Sequence, residues 1–252
     1  MNKTLATRAL ALLGAAVVTF SLSACDSDEI DRLIEGVTEP TSSSAPVAGD
    51  AGDEDYFTVT GPAVRDYEAT SGNISYCEAD DLGRATCAYG ELTADTRTEA
   101  QARGRQPINV DPAGWPEDNA KVSIPALDGV EGSREYNGWM WNRSHLLADS
   151  IGGEPTEENL VTGTRTQNVG SAKNSGGMAY TETIARDYLD SSAANDCPLY
   201  YAATPNYEGD ELIPRTVTVD IQSCDKSIDQ RVEVDNTANG FAIDYNTGSY
   251  SN

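Results

Sequence analysis

The chain has 252 residues, 38% of them hydrophobic, and a formal charge of −24 at pH 7 from 41 acids against 17 Lys and Arg. That length accommodates one domain with a full apolar core behind an N-terminal segment. A charge of this size weighs against any polyanionic partner unless the acids sit away from the contact. A single histidine with no CxxC excludes a zinc-finger site.

Lys3 and Arg8 form a short basic start, and Leu10 to Leu22 is an apolar run too short for a stable membrane span. It closes in Leu22-Ser23-Ala24-Cys25, which resembles a bacterial lipobox. The expectation is a lipoprotein signal peptide over residues 1–24, lipidation of Cys25, and an extracytoplasmic protein anchored to the membrane. Residues 25–55 are acidic and then rich in Ser, Pro, Ala and Gly, too poor in apolar surface to fold, and read as a tether. The domain is expected over 56–252. Export leaves Cys77, Cys87, Cys197 and Cys224 in an oxidising compartment. Three pairings are open to them; Cys77–Cys87 with Cys197–Cys224 is favoured because each pair flanks one local unit.

Along the domain, "YFTVTG" and "SREYNGWMW" carry the aromatic and β-branched content of strands. "LTADTRTEAQARG" predicts a helix with Thr93 or Asp95 near its cap and Gly104 at its end. "GGMAYTETIARDYLDSSA" predicts a second helix with Met178, Ala185 and Leu189 on one face. "PLYYAATPNYEGDELIPRTVTVDIQS" reads as two strands about a turn, with Cys197 and Cys224 at the open end. "FAIDYNTGSY" closes the chain as a strand or extended tail. Trp115, Trp139 and Trp141 are expected in the core rather than as exposed stacking platforms. Strands and helices do not alternate regularly, so the class is α+β with a mainly antiparallel sheet.

His145 stands in "GWMWNRSHLLADSIGG". The chain has no GxSxG elbow and no Walker loop, HExxH needs two histidines, and paired cysteines are not nucleophiles. General-base chemistry by one imidazole, aided by a metal on oxygen ligands, remains. Downstream, Asn159, Asn168, Glu182 and Arg186 supply hard oxygen donors and a cation, with Glu182 and Arg186 at i, i+4. Residues 139–186 carry four cations against five acids, nearly neutral in an acidic chain. The acids either serve solubility alone or are kept away from a site that approaches a polyanion.

The order "NRSH…N…N…E…R", with "NRSHL", "ENL.TGTR..N", "GGM…E", "LGR", "P.GW" and "IDYNTG", resembles the DNA/RNA non-specific endonucleases with a ββα-metal site, and among them the streptococcal-type secreted DNases. The likeness runs from about Tyr67 to Tyr245. It implies a Mg2+ (or Mn2+) dependent endonuclease of DNA, and of RNA as a further substrate, leaving 5′-phosphate ends. By the same resemblance His145 is the general base and Asn168 the direct metal ligand. Glu182 holds metal-bound water, and Asn159 orients the site and contributes to nucleic-acid binding. Arg186 and Arg143 neutralise phosphate charge. Arg103 or Arg105 contacts phosphate, and "QARGRQP" leaves both open. The usual motif is Asp-Arg-Gly-His; Asn142 here replaces the acid, so its role stays open. Two rival readings are a nuclease-fold lipoprotein that binds nucleic acid without cutting it, and a serine hydrolase using His145, for which no nucleophile motif speaks.

Overall fold

In the computed structural model the described residues are 54–173 and 175–252. Cys25, the signal segment and nearly all of the tether lie outside them. In chain order the elements are β1 (Phe57–Gly61), β2 (Ile74–Tyr76), β3 (Ala88–Leu92), α1 (Ala94–Arg103), β4 (Lys121–Ile124), β5 (Tyr136–Trp139), β6 (Trp141–His145), β7 (Leu160–Thr164), α2 (Arg165–Val169), α3 (Met178–Leu189), β8 (Leu199–Asn206), β9 (Thr216–Ser223), β10 (Asp229–Asp235), β11 (Ala242–Ile243) and β12 (Tyr250–Ser251).

Six strands form one antiparallel sheet in the order β1-β10-β9-β8-β3-β2. The fold is α+β, as expected. Strand β8 pairs with β9 from Leu199↔Ser223 to Asn206↔Thr216, the anticipated hairpin. Its side chains are nearly continuously buried rather than alternating, because both sheet faces are covered. The expected bridges Cys77–Cys87 and Cys197–Cys224 are both formed, with Cα atoms 5.1 and 5.3 Å apart.

Helix α1 forms where its caps predict. Thr93 Oγ1 accepts from the Thr96 amide, Thr96 Oγ1 accepts from the Thr93 amide, and Gly104 ends the helix at φ 70°. Helix α3 buries Met178, Ala185 and Leu189 on one face against the main core with Leu146, Leu147, Ile151, Leu199 and Tyr201. A second apolar cluster joins Ile124, Met140, Trp141, Ile213 and Ala238.

Three expectations are corrected. Trp139 is not core: it is 47% exposed, against 2% for Trp141. It lies on the outer face of the two-stranded β4–β5 ribbon, where alternation turns every second residue to solvent. The tail "FAIDYNTGSY" is not one strand but a minimal pair, β11 with β12. Asp55, placed in the tether by composition, is 5% exposed; its carboxylate accepts from the Ser171 and Ala172 amides at 2.7–2.9 Å. It therefore belongs to the packed fold.

Candidate active site on the β6–β7 hairpin

The site is built on a separate two-stranded unit. Strand β6 pairs with β7 from Trp141↔Thr164 to His145↔Leu160, and α2 follows β7 directly. Asn236, fully buried, ties the hairpin to the rest: its Oδ1 accepts from the Thr164 amide at 2.8 Å, and its Nδ2 donates to the Thr162 carbonyl at 3.0 Å. His145 ends β6. Leu146 and Leu147 follow it, both with no exposed surface, and each anchors that end by about 1.5–3 kcal/mol of apolar burial.

Asn159 fixes what comes after His145. Its Oδ1 accepts from the Leu147 amide at 2.9 Å, and its Nδ2 donates to the carbonyls of Leu147 and Glu154 at 2.9 and 2.8 Å. With 0% exposure and its amide engaged by backbone, Asn159 has nothing left for a polynucleotide. The expected nucleic-acid contact is corrected: the residue shapes the turn behind the histidine. Gly153 closes the same turn, because a Cβ there would overlap the Leu147 carbonyl.

Asn168 lies on α2, and Ser144 Oγ donates to its Oδ1 at 3.1 Å. The residue beside His145 thereby orients the amide expected to meet a cation. The turn from α2 into α3 is tight: Gly177, at φ 55°, packs on the Thr166 and Gln167 carbonyls, where any Cβ would collide. This brings α3, with Glu182 and Arg186, against α2. The Asp55 carboxylate caps that turn through Ser171 and Ala172.

His145 Nε2 is shielded from solvent and has no hydrogen-bond partner among the described residues. Burial holds the imidazole pKa down to about 4; Asp149 opposes this and Arg105 adds to it. Burial pushes the Glu182 carboxyl up to about 7 against the pull of Arg186. Glu182 is 14% exposed, and the Arg186 nitrogen is 3.9 Å away, too far for a hydrogen bond. Such a carboxylate is under-compensated, and hydrated Mg2+ is the kind of charge that fits it. Among the described residues no three His, Cys, Asp or Glu side chains gather into a metal cage. The candidate donors, the Asn168 amide and the Glu182 carboxylate, are of the kind suited to a cation that keeps its waters.

The arginines divide. Arg103 donates to Asp149 Oδ1 and the Gly153 carbonyl at 3.2 and 3.1 Å. Arg105 is exposed, makes no ion pair among the described residues, and acts electrostatically on His145. Arg143 donates through Nε to Asp111 at 2.7 Å and lies 4.2 Å over the Trp115 ring. Arg186 reaches Thr183 Oγ1 at 2.8 Å. Asn142 pairs with Gly163, and its side chain makes no hydrogen bond among the described residues. Ser144, Asn236 and Asp55 were not singled out by sequence. Each acts through a hydrogen bond between elements distant in the chain, which leaves no local pattern.

Comparison with known proteins bears on this arrangement. Residues 126–225 match the DNA/RNA non-specific endonuclease family. The solved Sda1 nuclease, which holds a zinc ion, is 33% identical; the match covers 79% of this chain and 97% of that one, with a TM-score of 0.68. The chain belongs to the DNA/RNA non-specific endonuclease family. A curated deoxyribonuclease from Streptococcus dysgalactiae subsp. equisimilis is 32% identical over 211 residues, and the chain spans 63% of its length. NucA from Streptococcus agalactiae, solved with magnesium, is 20% identical with a TM-score of 0.60 over 80% of this chain and 89% of that one, a likeness of fold. The family match includes β5, the β6–β7 hairpin, α2 and α3, and so holds His145, Asn168, Glu182 and Arg186.

Proposed function

We propose that this protein is a divalent-cation-dependent endonuclease that hydrolyses phosphodiester bonds of DNA, and of RNA, without sequence preference, using His145 as general base. The observation that carries the reading is the Ser144–Asn168 hydrogen bond, which couples the histidine strand to the helix bearing the candidate metal ligand. Asn168 and Glu182 would hold the cation, Asn168 directly and Glu182 through water. Mg2+, or Mn2+, when bound supplies positive charge to the phosphate and the leaving oxygen.

Of the two ring nitrogens Nε2 is the shielded one, so Nδ1 is left to take the proton of an attacking water. With its pKa held near 4 the imidazole is neutral at physiological pH. The arriving phosphate adds negative charge beside it, which favours the imidazolium and strengthens the base as substrate binds. Such a base contributes about 10²–10⁴-fold. Arg186 and Arg143 neutralise phosphate charge, Arg143 exchanging the Asp111 carboxylate for the substrate, and the uncommitted Arg105 is the phosphate contact rather than Arg103. Hydrolysis with the leaving oxygen on the 3′ side gives 5′-phosphate ends. Contacts to backbone rather than to base edges leave sequence unread.

The lipobox supports a membrane-anchored lipoprotein held by Cys25, and the two disulfides support an oxidising, extracytoplasmic site of action. The full chain should nick plasmid with Mg2+ and stop in EDTA. Binding without cutting would favour a non-catalytic nucleic-acid-binding lipoprotein.

A further inference from the structure

We propose that the outer face of the β4–β5 ribbon docks an unpaired stretch of polynucleotide strand, with Trp139 stacking a base and Lys121 meeting phosphate. This rests on the nuclease reading of the neighbouring site. One exposed apolar side chain is ordinary on a surface, so Trp139 alone carries nothing. Three further observations surround it.

Lys121 is its direct cross-strand partner, with Nζ 5.4 Å from the ring centroid and no ion-pair partner among the described residues. Ring and ammonium therefore stand within the reach of a single nucleotide. The ribbon is also sided. Lys121, Ser123, Asn137 and Trp139 are exposed, while Val122, Ile124 and Tyr136 face the second apolar cluster. The outer face is thus a rigid surface offering one ring, an ammonium and short polar side chains, the chemistry by which single strands are held without sequence readout.

The third observation is the distribution of positive charge. In a chain of −24 a cation readily finds an acid. The Lys and Arg with no ion-pair partner among the described residues are Arg105, Lys121, Arg134, Arg165, Lys173 and Lys226. Lys121 lies on the ribbon, Arg134 leads into β5, Arg165 opens α2 and Lys173 follows α2. The Arg165 guanidinium lies 5.1 Å over the Tyr136 ring, on the covered side of the ribbon rather than the outer face, and its amide donates to the Met140 carbonyl at 2.8 Å, where β5 turns into β6. The acids that flank the ribbon in sequence, Glu117, Asp118, Asp128 and Glu131, also make no ion pair among the described residues, Arg105 follows α1 and Lys226 lies on the β9–β10 turn; on the outer face itself the unpaired cation is Lys121. Glu135 opposes it at the far end of the face, and its carboxylate accepts from Asn137 Nδ2 at 2.7 Å. Trp139 and His145 are six residues apart along β5 and β6, at most about 20 Å, so the platform lies a few nucleotides from the base. A ring on a ribbon face can stack an unpaired base but not one inside a duplex, so the occupant is single-stranded.

The test uses the full chain carrying His145→Ala, in EDTA, with anisotropy of a fluorescein-labelled single-stranded oligonucleotide. Adding Trp139→Ala should weaken binding about 5- to 100-fold, the range for loss of one stacked base. Trp139→Phe should retain most of the affinity. Lys121→Ala should flatten the salt dependence by about one phosphate contact. A duplex of the same sequence should lose less than the single strand does. Leu82→Ala, an exposed apolar control at 43% exposure, should bind as the parent does. Equal affinity of the Trp139→Ala and parent proteins for the single strand would overturn the platform. Nicking of plasmid by the unsubstituted chain, measured separately, decides the nuclease reading whatever Trp139 does.

Discussion

Ser144 Oγ donates a hydrogen bond to Asn168 Oδ1 at 3.1 Å, joining the residue next to His145 on β6 to the amide on α2. Ser144 has no exposed surface and Asn168 is partly buried, so the bond is shielded and holds one orientation of the amide. Loss of such outer support commonly weakens metal affinity about 10- to 100-fold. Ser144→Ala should therefore raise the Kd for Mn2+ by that order in titration calorimetry. The loss of stability should be only about 1 kcal/mol. An unchanged Kd would show that the bond does not orient the ligand.

Asn159→Ala should act on the fold. The substitution leaves the Leu147 amide and the Leu147 and Glu154 carbonyls without their partner. Each buried group left unsatisfied costs about 1–3 kcal/mol, and chemical denaturation should show a loss of at least about 2 kcal/mol. A stability change within about 0.5 kcal/mol, as for ordinary surface positions, would contradict the clamp.

His145 makes stability depend on pH. Its folded pKa, about 4, lies below the ordinary 6.5. Below 6.5 the unfolded chain takes up a proton that the folded chain refuses. This contribution is therefore complete above about 6.5 and is lost progressively as pH falls towards 4, by up to about 3 kcal/mol. Urea unfolding of metal-free protein should show wild type losing more stability than His145→Gln between about pH 7 and about pH 4.5. Parallel losses would mean that the imidazole is not held neutral by burial.

Mg2+ should raise the melting temperature of the full chain, and EDTA should reverse the rise, because a ligand that binds only the folded state stabilises it by mass action. Glu182→Gln should reduce that rise, since its carboxylate, only loosely paired with Arg186, is the group proposed to hold metal-bound water. An equal rise in both proteins would remove Glu182 from the metal's surroundings.

Much of this was legible in the chain where signals are local. Thr93 and Gly104 marked α1, and Met178, Ala185 and Leu189 marked the buried face of α3. Cys197 and Cys224 marked the open end of the β8–β9 hairpin. The motif residues His145, Asn168 and Glu182 stood in order, and the fold puts them on β6, α2 and α3. Trp139 misled because an aromatic residue on a two-stranded ribbon has the same alternation whether its face is covered or open. Strand β10, "DQRVEVD", was hidden because only Val232 and Val234 of its seven residues are buried apolar. Its place between β1 and β9 joins residues far apart in sequence, which no local pattern encodes. Asn159 was legible as a site residue but not as a buried clamp, because that role depends on the path of the backbone around it.

The measurement that tests the central claim most directly is plasmid nicking in Mg2+ by the full chain carrying His145→Gly, with and without free imidazole, alongside thermal unfolding of the same sample. If His145 is the general base, the variant melts as a folded protein, fails to cut, and recovers part of its activity when imidazole enters the space left by the ring. A His145→Gly protein that is well folded and cuts at the wild-type rate without imidazole would contradict the account.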